Sequence, residues 1–111
     1  MYTNLKLWEA SMNLAETVYR LTMDFPEEER FGLVAQLKRA AVSIPSNIAE
    51  GKGRNSDKEF KQFLYIARGS LFELRTQLEL ARRLGFVDSN QKIKNQIVEV
   101  QSMLNTLLNK L

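Results

Sequence analysis

Lys61, Arg68, Arg75 and Arg82 recur at every seventh position of one stretch of the chain. On a helix, a seven-residue repeat returns to nearly the same side. Four cations therefore line one edge, with about 10 Å between rungs. Arg54 extends the row backwards across a turn, and Arg39 lies on the polar side of the preceding stretch. The chemistry open to such a row is electrostatic. It can follow a phosphate backbone, each engaged phosphate adding about 0.7–0.9 to the slope of log affinity against log salt. The same positions also flank a core seam, where charged residues commonly pair with acids on a neighbouring helix. Glu9 and Glu16, again seven apart, are candidates for that pairing, within a subunit or between subunits. The residues alone leave both roles open.

Catalytic chemistry finds little footing. The chain has no histidine and no cysteine, which removes the usual neutral-pH proton shuttle, the usual zinc ligands, thiol catalysis and disulfides. Glu50 and Glu73 are the only plausible carboxylate pair, and neither has a histidine, a second acid cluster or a glycine loop beside it. Gly51-Lys52-Gly53 lacks the strand–loop–helix setting of a phosphate-binding loop. The Glu-x-x-His motif of di-metal bundles cannot occur without histidine. Glu27, Glu28 and Glu29 suit the positive end of a helix dipole better than a metal ion, because adjacent helical carboxylates diverge. The expectation is a protein that is not an enzyme and holds no metal or cofactor.

A second polar constellation lies on the stretch before the cationic row. Arg39, Ser43, Ser46, Asn47 and Glu50 share a helical side and could meet Ser70, Glu73 and Gln77. A satisfied inter-helix hydrogen-bond network is one reading, since buried polar groups must be paired. A polar lining for nucleic acid or a partner is the other. Trp8, Tyr19, Phe60, Phe63, Tyr65 and Phe72 could stack on bases, but most fall at core spacing. Tyr65 and Phe72 lie off the core stripe and suit a subunit interface.

Four helices must carry these groups. The first is expected from a cap at Thr3 or Asn4 to about Asp24, stopped by Phe25-Pro26. It has two apolar stripes, one through Leu5, Trp8, Met12, Ala15, Tyr19 and Thr22, the other through Leu7, Leu14, Val18, Leu21 and Phe25. One stripe suffices for its own core, so the second predicts cover by another subunit. Helix two is expected from the Glu27–Glu29 cluster to about Gly51. Pro45 stands in its body at a cost of about 3 kcal/mol. Because Leu33, Leu37, Ala41, Ile44 and Ile48 keep one face across it, the spacing predicts a single kinked helix, ended by Gly51 and Gly53. Ser56-Asp-Lys-Glu59 is a capping box opening helix three near Asp57. Gly85 is its expected left-handed stop, and Asp88 or Ser89 the expected cap of helix four. No segment alternates as a strand does. The expected fold is all-α, an antiparallel up-down-up-down four-helix bundle, as one domain over residues 1–111.

The 111 residues carry a net charge of +3, unevenly spread. Residues 38–83 hold ten Lys/Arg against five Asp/Glu, so the cationic half is the middle of the chain, where an anionic polymer would bind. No apolar run approaches the roughly 20 residues of a membrane span, and the N-terminus shows no signal peptide. A cytoplasmic protein is expected.

Several segments carry a resemblance. They are Leu5-Lys6-Leu7-Trp8, Val18-Tyr19-Arg20-Leu21-Thr22, Lys58-Glu59-Phe60, Ala67-Arg68-Gly69-Ser70-Leu71 and above all Arg39-Ala-Ala-Val-Ser-Ile-Pro-Ser-Asn-Ile-Ala-Glu-Gly51. With them the chain, over roughly residues 5–87, resembles the bacterial four-helix-bundle proteins first described as encoded within 23S rRNA intervening sequences. The resemblance implies an up-and-down bundle that associates into a barrel-like homopentamer. The chain is similar also to the accessory variability determinant of diversity-generating retroelements, which binds nucleic acid and its cognate reverse transcriptase. One position departs from the pattern: Arg75 stands where the family usually has an acid. Together these point to a non-enzymatic homo-oligomer binding RNA or DNA by backbone and shape, through Arg39, Arg54, Lys61, Arg68, Arg75 and Arg82. The rivals are an adaptor for a nucleic-acid enzyme such as a reverse transcriptase, and a purely structural oligomer.

Overall fold

Leucine and isoleucine at three- and four-residue intervals give each long segment one apolar stripe, and the stripes close on each other. A computed structural model describes residues 2–111, with side chains described from Leu5 onward. It contains α1 (Tyr2–Thr22), a 3-10 turn (Glu27–Glu29), α2 (Leu33–Lys52), α3 (Asp57–Arg83) and α4 (Gln91–Lys110), with no strand among the described residues. The fold is all-α. No helix among the described residues is long and apolar enough to cross a membrane.

Each helix packs against two neighbours. α1 lies on α2 and α4, and α3 on α2 and α4, so α1 faces α3 only across the diagonal. Contacts fix the directions. Gly51 meets Phe63 and Phe60, whereas Ser43 meets Ser70, so α2 and α3 run in opposite senses. Arg68 reaches Asn105 and Arg75 reaches Gln101, so α3 and α4 do likewise. At one end Phe25, after α1, packs on Phe86, after α3, with ring centroids 5.8 Å apart. The core runs the length of a body 43 × 25 × 18 Å in extent and is built on Leu7, Leu14, Leu37, Ile44, Leu64, Leu71 and Leu104, all fully buried. The buried hydroxyls of Ser11 and Thr22 donate back to the carbonyls of Trp8 and Tyr19, so neither is left unpaired.

The helix ends repeat some expectations and correct others. Ser56 Oγ accepts from the Glu59 amide at 3.2 Å, as the capping box requires. Gly85 has φ +80°, and the Phe86 and Gly85 amides close on the carbonyls of Ala81 and Arg82, the paired bonds of a left-handed stop. Helix two, by contrast, starts six residues late. Glu27–Glu29 forms its own 3-10 turn, and Gly32, at φ −101° and ψ −109°, separates it from α2. Glu29 Oε1 then accepts from the Leu33 amide at 3.1 Å, standing in for a cap. Helix four is capped by Asn90, whose Oδ1 accepts from the Ile93 amide, and not by Asp88 or Ser89. α1 begins at Tyr2, ahead of the cap expected at Thr3 or Asn4, whose side chains lie outside those described. α2 passes through Pro45 without a break. Gly51 does not end it; a Cβ there would lie 2.6 Å from Phe63 Cβ, so its role is close approach to α3.

Candidate nucleic-acid interface

The cationic row falls on the side of α3 that faces α4. Arg68 is half-buried; its Nη1 donates to Asn105 Oδ1 at 3.1 Å, and its guanidinium lies 5.0 Å from the centre of the Tyr65 ring. Arg75 is exposed and donates to Gln101 Oε1 at 2.7 Å. Both acceptors are neutral amides four residues apart on α4. They aim the guanidinium groups without cancelling their charge. Lys61, half-buried, has no carboxylate within ion-pair distance among the described residues, and neither has exposed Arg39.

The two ends of the row differ from its middle. Arg82 grips Glu79 through Nε and Nη2, each at 2.9 Å, and Arg83 Nε donates to the same carboxylate at 2.9 Å. Those bonds hold the Glu79 carboxyl well down, from an ordinary 4.5 to about 2, and raise the Arg82 guanidinium further. Arg54, in the turn after α2, binds Glu50 of that helix at 2.9 Å and lies 4.8 Å from the Phe63 ring centre. These pairs are exposed and contribute little to stability. Glu9 and Glu16 sit on α1, across the diagonal from α3, so pairing with the row inside one subunit is ruled out.

The second constellation comes together only in part. Ser70 Oγ donates to Ser43 Oγ at 2.8 Å, and Asn47 Nδ2 donates to the Ser43 carbonyl at 2.8 Å and to its Oγ at 3.0 Å. Ser46, Arg39 and Glu73 are exposed, Glu50 is taken by Arg54, and Gln77 Oε1 is buried without a partner. The result is a small seam between α2 and α3, not a lined channel. Among the described residues no three carboxylates gather closely enough to hold a metal ion.

Sequence reasoning missed Gln101 and Asn105. Their i, i+4 spacing beside the seam of Val100, Leu104 and Leu108 was the available signal. It also missed a cavity of about 400 Å³ between α3 and α4. Arg75, Arg82 and Lys94 stand at its rim, and Leu21, Leu78 and Ile97 are among the residues beneath. It forms where three helices meet, which no single helix pattern encodes.

The sequence profile of the 23S rRNA-intervening sequence proteins matches residues 3–106. A crystal structure of a protein of unknown function of the S23 ribosomal protein family, from Bacteroides thetaiotaomicron, is similar with a TM-score of 0.85 and 24% identity. The similarity covers 96% of this chain and 98% of that one, and it establishes a shared fold. No curated protein matches the chain. Matched by one profile from the first turn of α1 to the last turns of α4, the chain belongs to the 23S rRNA-intervening sequence protein family.

Proposed function

We propose that this chain is a cytoplasmic, non-enzymatic protein that binds RNA or DNA through its phosphate backbone and works as a homo-oligomer. The observation that carries the reading is the middle of the α3 row. Arg68 and Arg75 are held in place by Asn105 and Gln101, acceptors without charge, and Lys61 forms no ion pair, although Asp57 lies one turn before it. Three cations at helical heptad spacing thus present uncompensated charge along one edge. An isolated structural role would more commonly match them with carboxylates. Arg82 and Arg54 extend the field once a phosphate replaces Glu79 or Glu50, and Arg39 adds to it from α2.

Self-association draws on a different surface. Tyr65, Ile66, Phe72 and Leu80, on the outward side of α3, are 45–51% exposed, and Gly69 lies among them with nothing within 4 Å of a built Cβ. A mid-helix glycine costs about 1 kcal/mol relative to alanine. One with no close neighbour in its own subunit suits the near approach of another. The family resemblance favours a pentamer for that assembly. The same surface would serve a protein adaptor, such as one for a reverse transcriptase.

Salt-titrated binding to unstructured and duplex RNA tests the reading. A steep negative slope is expected, reduced by about 0.7–0.9 in Arg68→Ala. Weak binding with a flat slope, beside a stoichiometric protein complex, would favour the adaptor. A lower assembly stability in Arg68→Ala with no binding to lose would leave only the structural oligomer.

A further inference from the structure

We infer that the cavity between α3 and α4 receives one unstacked nucleobase, with Arg75 and Arg82 on the phosphates that flank it. The inference rests on the nucleic-acid reading above and narrows it from any polyanion to one carrying a bulged or unpaired nucleotide.

Three observations support it. The cavity, about 400 Å³, has an apolar interior of Leu21, Leu78, Ile93 and Ile97, and Val98 at its mouth is 66% exposed. A flat ring of purine size fits such a space and would remove apolar surface from water there, as bases do on single-strand-binding surfaces. Second, two rungs of the cationic row line this same cavity and Lys94 stands on its α4 side. Cα atoms seven residues apart on α3 are separated by about 10 Å, and the long arginine stems can close on neighbouring phosphates. Glu79 and Asp88 also line the cavity, but Glu79 is shared by Arg82 and Arg83, and with Arg75, Arg82 and Lys94 against these two carboxylates the lining keeps a net positive charge. Third, Asn90 Oδ1 is committed to capping α4, which leaves its Nδ2 to donate to a base edge. The row continues from the cavity to Arg68 and Lys61. An acyl chain or a free mononucleotide would leave that continuation idle; a strand with one base turned inward would use all of it.

The test compares a fully paired RNA hairpin with the same hairpin carrying a single 2-aminopurine bulge, each titrated at several salt concentrations. The bulged RNA is expected to bind about fivefold to a hundredfold more tightly, the range of one stacked base. Its 2-aminopurine emission should change on binding, and the methyl resonances of Val87, Ile93, Ile97 and Val98 should shift with the bulged RNA only. Val98→Asn, at an exposed position and neutral in charge, should shrink the preference and leave the salt slope alone. Equal affinity for both hairpins with a steep slope would overturn the base site while sparing the phosphate reading. A bulge preference without methyl shifts, or one untouched by Val98→Asn, would put the base elsewhere and overturn this site. Absence of salt-dependent binding to either RNA would overturn both readings.

Discussion

Asn105 and Gln101 decide what Arg68 and Arg75 can do. A carboxylate at either position would have turned an oriented, available guanidinium into half of an ion pair. Glu79 shows the opposite case, a carboxylate held by two guanidinium groups and shifted from 4.5 to about 2. The folded value lies below the unfolded one, so this group's contribution to stability is complete above about pH 5 and is lost as pH falls towards 2. An NMR titration of the Glu79 carboxyl should show a midpoint near 2 in the native chain and an upward move in Arg83→Ala. An unshifted midpoint in both would mean that the three-residue cluster does not persist in solution. Gly69 is a residue-scale case of another kind. With open space around its Cβ position, Gly69→Ala should raise the stability of the separated subunit by about 0.8–1 kcal/mol in urea unfolding.

At the level of elements, α2 and α3 form the tightest pair at Gly51. A Cβ there would meet Phe63 Cβ at 2.6 Å and Phe60 Cδ1 at 2.9 Å, and the first of these atoms cannot swing aside without moving α3. Gly51→Ala should therefore cost about 1–3 kcal/mol, the usual range for forced overpacking, and appear as a lower thermal midpoint. A neutral result would show that the two helices have room to part. Pro45 stands on the same helix under the same constraint. Its lost backbone bond is tolerated because Ala41, Ile44 and Ile48, on the turns before and after it, are held in the core at 0–1% exposure. α4 contributes differently, supplying the amides that aim the row and, with α3 and Leu21, the walls of the cavity.

At the scale of the whole molecule, two apolar surfaces among the described residues stand open besides the α3–α4 cavity. One is the outward side of α3 around Gly69, and the other is a groove between α1 and α2 lined by Trp8, Met12, Tyr19, Val42 and Pro45. The groove takes in Trp8, Met12, Ala15 and Tyr19 of the Leu5–Thr22 stripe of α1, with Tyr19 42% exposed, while Leu7, Leu14 and Val18 of the other stripe are buried in the core. Because the surfaces lie on different sides, seating one copy's α3 in the next copy's groove gives a head-to-tail contact, the kind that closes into rings. Light scattering should give a mass several times 12.8 kDa, falling to that of one chain in Phe72→Glu with the helical circular dichroism unchanged. Gly69→Ala should weaken the assembly even as it firms the subunit. A native chain that runs as a monomer at micromolar concentration would remove the oligomer and leave the row on α3 to act alone.

The helix count, the Ser56 cap, the Gly85 stop, the core stripes and the seven-residue cationic row were all legible in the chain, because each depends on residues within a turn or two of one another. Local rules failed where two signals competed. Three glutamates looked like the start of α2, but Gly32 broke the backbone after them, and Asn90 outcompeted Asp88 and Ser89 as a cap. What the row faces could not be read locally at all. That α3 lies against α4 rather than α1 is set by how four helices close around a shared core, and it replaces Glu9 and Glu16 with Gln101 and Asn105 as neighbours of the arginines. Charge spacing belongs to one helix and is written in its sequence; charge compensation belongs to the pair, and only packing decides it.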